Sequence, residues 1–242
     1  MGIELRESIL AVFLNGRSMS YFLAGYYLIR KKPFKNGLSI FTCSNCINDS
    51  LLEGLSRSWT WHDETESLKE FQISAATLKS IQAWTEEMDH KGKTGYIDIF
   101  YEIEVAKEYK ERFFPNVDEV ELLGLYLPNT EANLLVDDFV PQDKGFGRVG
   151  IEIGLSKRIA ETESGIELGY DLIGVEPGGS FHSFQCHDLG AELAKRFKIK
   201  INDFGLLSSE HNWQEQVAFM NDEVNGCEPV PWYFAKIKQF KI

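Results

Sequence analysis

The sequence predicts an α+β fold whose C-terminal part is a mixed or antiparallel sheet with a β-hairpin and flanking helices, the N-terminal part being more mixed. Three observations predict it. Val149, Ile151, Ile153 and Leu155 alternate with other residues, as do Ile166, Leu168, Tyr170 and Leu172, which is the two-residue period of a strand with one buried face. Pro177-Gly178-Gly179 supplies the positive-φ positions of a tight turn, so Ser180 to His187 reads as a return strand. Elsewhere apolar residues recur at three- and four-residue steps, and strands interleaved with such helices point away from a regular doubly wound sheet.

In chain order, Leu78, Ile81, Trp84 and Met88 fall on one face of a helix beginning near Ser74. From Tyr96 to Phe114, a strand of alternating Ile97, Ile99, Tyr101, Ile103 and Val105 turns into a short helix that ends at Pro115. Leu123 to Leu127 is a further strand. After the hairpin, Asp188 reads as the N-cap of a helix with Leu189, Leu193 and Phe197 on one side. A last helix spans Ser209 to Asn225, with Trp213, Val217, Met220 and Val224 facing inward and Gly226 just past its end.

At 242 residues the chain is long enough to bury a core without staples. The polar stretches 89–95, 128–133 and 141–147 are short, so residues 1–242 read as one domain, a subdivision, if any, falling near 90–95. Hydrophobic residues at 43% and charged residues at 26% exclude a disordered or low-complexity chain. Against 25 Lys+Arg stand 37 Asp+Glu, a net charge of −12 that argues against nucleic-acid binding and for a basic protein partner. Met1 to Glu7 carries two acids and no basic run, so it does not read as a secretory signal. The longest apolar stretch, Tyr21 to Ile29, is about half of what spans a bilayer, so no membrane role is expected. The four cysteines then fit free thiols in a reducing cytoplasm.

Two constellations could carry chemistry. Ser180 to Asp188 holds His182, Cys186 and His187, but on an unbroken strand His182 and Cys186 would lie about 13 Å apart, too far for a dyad. His187 would point to the opposite face, and the segment then reads as a packed hairpin. Cys43-Ser44-Asn45-Cys46 has metal-knuckle spacing, and Cys186 with His187 or Cys227 could complete a ligand set on paper. Without a second pair at matched spacing, neither a metal nor a cofactor is expected, and buried thiols are the plainer reading. Gly145-Phe146-Gly147-Arg148-Val149-Gly150 spells a dinucleotide fingerprint but precedes an expected strand, so it is discounted. Arg30 to Lys35 reads as a solvated turn. The segment Trp59, Trp61, His62, Asp63, Glu64 and Glu66 combines aromatic anchors with acids, as a surface for a cationic partner would. Its alternative role is core plugs followed by the acidic first turn of a helix.

The patches Leu168 to Gly174, Phe181 to Cys186, Asn202 to Leu206 and Glu228-Pro229-Val230-Pro231-Trp232 resemble bacterial immunity proteins that accompany polymorphic toxins, over residues 148–242. The resemblance implies a non-enzymatic cytoplasmic inhibitor that binds and neutralises a cognate, basic toxin, with no catalytic residue carried over. The alternatives are a small hydrolase or metal-assisted enzyme centred on Cys43, Cys46, His182, Cys186 and His187, and a scaffolding module without a toxin partner.

Overall fold

The computed structural model describes residues 19–33, 39–52, 55, 68–69, 71–95, 99–117, 119–138, 147–225 and 227–242. Among them one antiparallel sheet of eight strands runs β3-β4-β1-β5-β8-β6-β7, with β2 pairing β1 off that path. The strands are β1 (Tyr21–Arg30), β2 (Asp49–Ser50), β3 (Thr94–Gly95), β4 (Ile99–Phe100), β5 (Val120–Pro128), β6 (Ile166–Val175), β7 (Phe181–Ser183) and β8 (Trp232–Phe240). Six α-helices accompany them: α1 (Ala75–His90), α2 (Ile103–Phe113), α3 (Asn129–Asp138), α4 (Ile151–Ser156), α5 (Gly190–Phe197) and α6 (Trp213–Met220). The fold is therefore α+β.

The sheet is buried on both faces, which explains why its central strands read as near-continuous apolar runs. On β5, Leu122 and Tyr126 join a core with α1, α2 and α6, while Leu123, Leu125 and Leu127 join a second core with α3 and α4. On β8 the same alternation sends Trp232 and Phe234 to the first core and Tyr233, Ala235 and Ile237 to the second. Each such side chain taken from water contributes about 1.5–3 kcal/mol before chain entropy is charged against it. Helix α1 begins where the periodicity places it: Ser74 caps it by accepting from the Thr77 amide, and Leu78, Ile81, Trp84 and Met88 are buried.

Five sequence expectations need correction. Val149 to Leu155 is not a strand; residues 151–156 form α4, and Ile151 and Leu155, one turn apart, are what it buries. Gly154 lets that helix lie directly on β1, because any Cβ there would overlap the Ala24 carbonyl oxygen. The return strand stops at Ser183, and a 3₁₀ turn (Phe184–His187) follows, capped by the Ser183 hydroxyl on the Gln185 amide. Asp188 is not the cap of α5; it sits in the left-handed region at the end of that 3₁₀ turn. The last helix is shorter than its pattern: α6 ends at Met220, and Val224 is 90% exposed. Arg30 and Lys32 both pair with Asp49, and Lys31 with Glu121, so residues 30–32 are ion-paired rather than merely solvated. No helix among the described residues is long and apolar enough to cross a membrane.

Candidate functional site

The site forms where the loop between β1 and β2 crosses the β6–β7 end of the sheet. The loop is tied down by its own polar side chains. Buried Asn48 donates to the carbonyls of Ile40 and Thr42 at 2.9 Å each, and the Thr42 hydroxyl accepts from the Ser44 amide. Asp171 on β6, fully buried, fastens the loop to the hairpin: it accepts from Thr42 Oγ1 at 2.6 Å and from Ser183 Oγ at 2.8 Å. Burial pushes its carboxyl up to about 6 despite these donors and the Leu172 and Phe184 amides. One carboxylate thus positions both walls of the site.

Those walls carry three donor atoms to one point. Cys46 Sγ, His182 Nδ1 and Cys186 Sγ all lie within 4.8 Å of one another. Cys46 is exposed and its sulfur sits 3.1 Å from His182 Nδ1, although the two residues are 136 positions apart in the chain. Cys186 Sγ lies 3.7 Å from Ser44 Oγ, which itself donates to the Phe181 carbonyl. The separation of about 13 Å expected for His182 and Cys186 is overturned because the strand ends between them. The 3₁₀ turn folds Cys186 back toward the histidine.

The other side of the imidazole faces carboxylates. His182 Nε2 is 2.8 Å from Glu176 Oε1 and 3.0 Å from Glu228 Oε2. Glu176 is placed by the hairpin turn, where its side chain accepts from Ser180 Oγ at 2.8 Å. Glu228 is placed by the approach to β8, its carbonyl accepting from the Trp232 indole. His187 packs edge-on to His182 and to Trp232, with Nε2 3.9 Å from Glu228 Oε2. Both of those last atoms are sealed from solvent and lack an aligned hydrogen-bond partner among the described residues.

The charges follow from this arrangement. The Cys46 thiol is pushed down to about 5, first by the hydrogen bond from Cys186, against the cost of burial, and then by His182. Cys186, as donor to that sulfur, is pushed up. Burial pulls the His182 imidazole down, but Glu176 and Cys46 outweigh it and the pKa is raised. Glu176 is held below the usual carboxylate range by its hydrogen bond with His182. The three shifts run in one sense, each favouring the charged form of Cys46, His182 or Glu176.

Of the residues that the sequence offers, Cys46, His182 and Cys186 meet, and His187 joins through Glu228. Cys43 does not: it is 3% exposed in the second core, where burial raises its thiol. Cys227 turns toward Met220, its sulfur 3.9 Å from Sδ. The expectation of buried thiols thus holds for Cys43 and fails for Cys46. Ser44, Asp171, Glu176 and Glu228 carry no local signal, since each matters only through a partner distant in sequence or across the turn. Trp59, Trp61, His62, Asp63, Glu64 and Glu66 lie outside the described residues. The ground for discounting Gly145 to Gly150 changes, because Gly150 precedes a helix; that helix is six residues long, and its N-terminal turn is already occupied by Glu152, which accepts from the Val149 amide.

A second polar cluster lies further along β8 and β6. Lys236 and Lys238 on β8 are 8% and 4% exposed. Lys236 Nζ reaches Glu161 at 3.1 Å and Glu167 at 3.2 Å and lies 3.9 Å from the centre of the Tyr21 ring. Lys238 Nζ reaches Glu161 at 3.1 Å and the Thr162 carbonyl at 2.7 Å. Tyr21 and Tyr170 donate to Glu210 and Glu167. Compared with known proteins, the chain matches no family model, no curated protein and no solved structure.

Proposed function

We propose that the protein holds a zinc-class divalent ion between Cys46, Cys186 and His182 and acts through that centre. The observation that carries this reading is the convergence of two sulfurs and one ring nitrogen within 4.8 Å. A tetrahedral ion with Zn–S of about 2.3 Å and Zn–N of about 2.0–2.1 Å sets its donors roughly 3.5–3.8 Å apart, which falls within this limit. The shell behind the donors fits as well. Glu176 accepts from His182 Nε2–H and so leaves Nδ1 free to ligate, the second-shell arrangement that fixes a metal-binding histidine. A lone thiol nucleophile paired with histidine would explain Cys46 but not the second thiol aimed at it.

Three protein donors would leave a fourth position of a tetrahedral ion to water or substrate, and Cys46 is exposed. An ion held by these residues would supply Lewis acidity and a water of lowered pKa, the chemistry of metal-assisted hydrolysis. After loading with zinc and dialysis, elemental analysis should find one ion per chain in the parent and in Cys43→Ser and Cys227→Ser, and none in Cys46→Ser or Cys186→Ser. Cobalt should give thiolate charge-transfer and tetrahedral d–d bands. A parent that retains no metal, or a Cys46→Ser chain that retains as much as the parent, overturns the reading.

A second reading is favoured by the net charge of −12: a cytoplasmic bacterial inhibitor whose partner is a basic toxin, as the resemblance of residues 148–242 implies. Phe181 to Cys186 and Glu228, which contribute to that resemblance, also build the metal centre, so a metal ion could brace a binding surface. Neutral isosteres at Asp63, Glu64 and Glu66 should slow association with a basic partner and flatten its salt dependence. An association rate unchanged at low salt would remove that segment from the interface.

A further inference from the structure

We propose that Cys46 is a hydroperoxide-reactive cysteine and that Cys186 resolves it, closing a disulfide between the β1–β2 loop and the 3₁₀ turn. This goes beyond metal binding, although it uses the same two sulfurs. Cys46 is the one exposed thiol of the four. Its sulfur has an imidazole nitrogen at 3.1 Å and the second sulfur within 4.8 Å. Redox-reactive cysteines share that combination: solvent access, an imidazole nitrogen against the sulfur and a resolving thiol at hand. The other two thiols are excluded by place, Cys43 being sealed in the second core and Cys227 turned to Met220.

The chemistry balances with a hydroperoxide as the only oxidant. The Cys46 thiolate attacks the peroxide oxygen, the O–O bond breaks, and hydroxide (or alkoxide) leaves as Cys46 becomes a sulfenic acid. The Cys186 thiol then attacks the Cys46 sulfur, the S–O bond breaks, and water leaves with the Cys186 proton as the S–S bond forms. Overall two thiols lose two electrons and two protons, and the peroxide is reduced to two hydroxyl products. The sulfurs must approach to about 2.05 Å, and the 3₁₀ turn and the exposed loop provide the two sides of that adjustment. Once joined, neither sulfur is a thiolate ligand, so oxidation would eject a bound ion.

The test uses the full chain stripped of metal with a chelator and exposed to one equivalent of hydrogen peroxide. The expected result is a mass loss of about 2 Da, two alkylatable thiols in place of four, and a cross-linked peptide joining Cys46 to Cys186. Cys186→Ser should instead accumulate a sulfenic acid on Cys46 that dimedone traps. A stable sulfenic or sulfinic acid on Cys46 with Cys186 still alkylatable, or a cross-link through Cys43 or Cys227, overturns the proposal. A zinc-loaded sample run in parallel should release one ion per disulfide. Because the disulfide is read in metal-free protein, failure to bind zinc and failure to form the bond are separate results.

Discussion

The two polar clusters of this sheet share their ingredients, yet they are built to opposite rules. Lys236 and Lys238 each have an opposite charge within reach, Lys238 a carbonyl acceptor as well, and both are nearly sealed from solvent. Around His182 a thiol stays exposed, a second thiol leans on it, and His187 Nε2 is buried without an aligned partner among the described residues. A saturated network braces the strands it spans. An unsaturated one carries a cost, about 1–3 kcal/mol for each unpaired buried group, that bracing alone does not justify. The contrast teaches where to look for function: in the polar cluster left incomplete, not in the one with the most charges.

The sharpest way to break that contrast is to damage the saturated cluster. Lys236→Met leaves exposed Glu167 and half-buried Glu161 short of a cation and is expected to cost about 3 kcal/mol in chemical denaturation, the low end for a pair of which only the cation is buried. A loss below about 1 kcal/mol would mean that the cluster is ornamental. Next in size is a pH effect at Asp171, the brace of the site. Its folded pKa of about 6 lies above the ordinary 3.8, so the folded state binds the proton more tightly. Its contribution to stability is therefore largest below about pH 4 and falls as pH rises through 6, by about 3 kcal/mol in all. Asp171→Asn should flatten that part of the pH–stability curve, and an unchanged slope would assign it to another group.

Damage to the unsaturated cluster should read the other way. Cys46→Ser is expected to shift the stability of metal-free protein by no more than about 1 kcal/mol while abolishing zinc retention. If it unfolds the chain instead, Cys46 is structural and the contrast fails. Smallest of all is His187→Phe, which removes a buried, unpartnered nitrogen and keeps the edge contact with Trp232. Its stability should be unchanged or slightly improved, and a loss of more than about 2 kcal/mol would show that Nε2 has a partner after all.

The legible parts of this molecule were those whose signal is local. The start of α1 at Ser74 and the presence of strands at β5 and β6 are written locally, but β6 does not keep the single buried face its period predicts: a bulge between Glu167 and Gly169 sends Leu168 to the second core and Tyr170 and Leu172 to the first, and Ile166 is exposed. Val149 to Leu155 was misread because residues 151 and 155 satisfy both periods, and only Gly154 against Ala24 decides for the helix. The candidate residues Cys46, His182 and Cys186 were legible as chemistry but not as a site. Bringing them together took a 3₁₀ turn after Ser183 and a buried Asp171 that reaches Thr42 across 129 positions, and neither leaves a periodic trace.

The order of strands has a consequence for how the chain is made. β8, the last strand in sequence, lies between β5 and β6 and is the only link between β3-β4-β1-β5 and β6-β7 among the described strands. During synthesis both halves must wait with long apolar edges unpaired until residues 232–240 emerge, a stage open to mispairing with other chains. Cys46 belongs to one half, and His182 and Cys186 to the other. A chain still short of residue 232 therefore holds Cys46 on one part of the sheet and His182 and Cys186 on another, with no described strand yet joining the two.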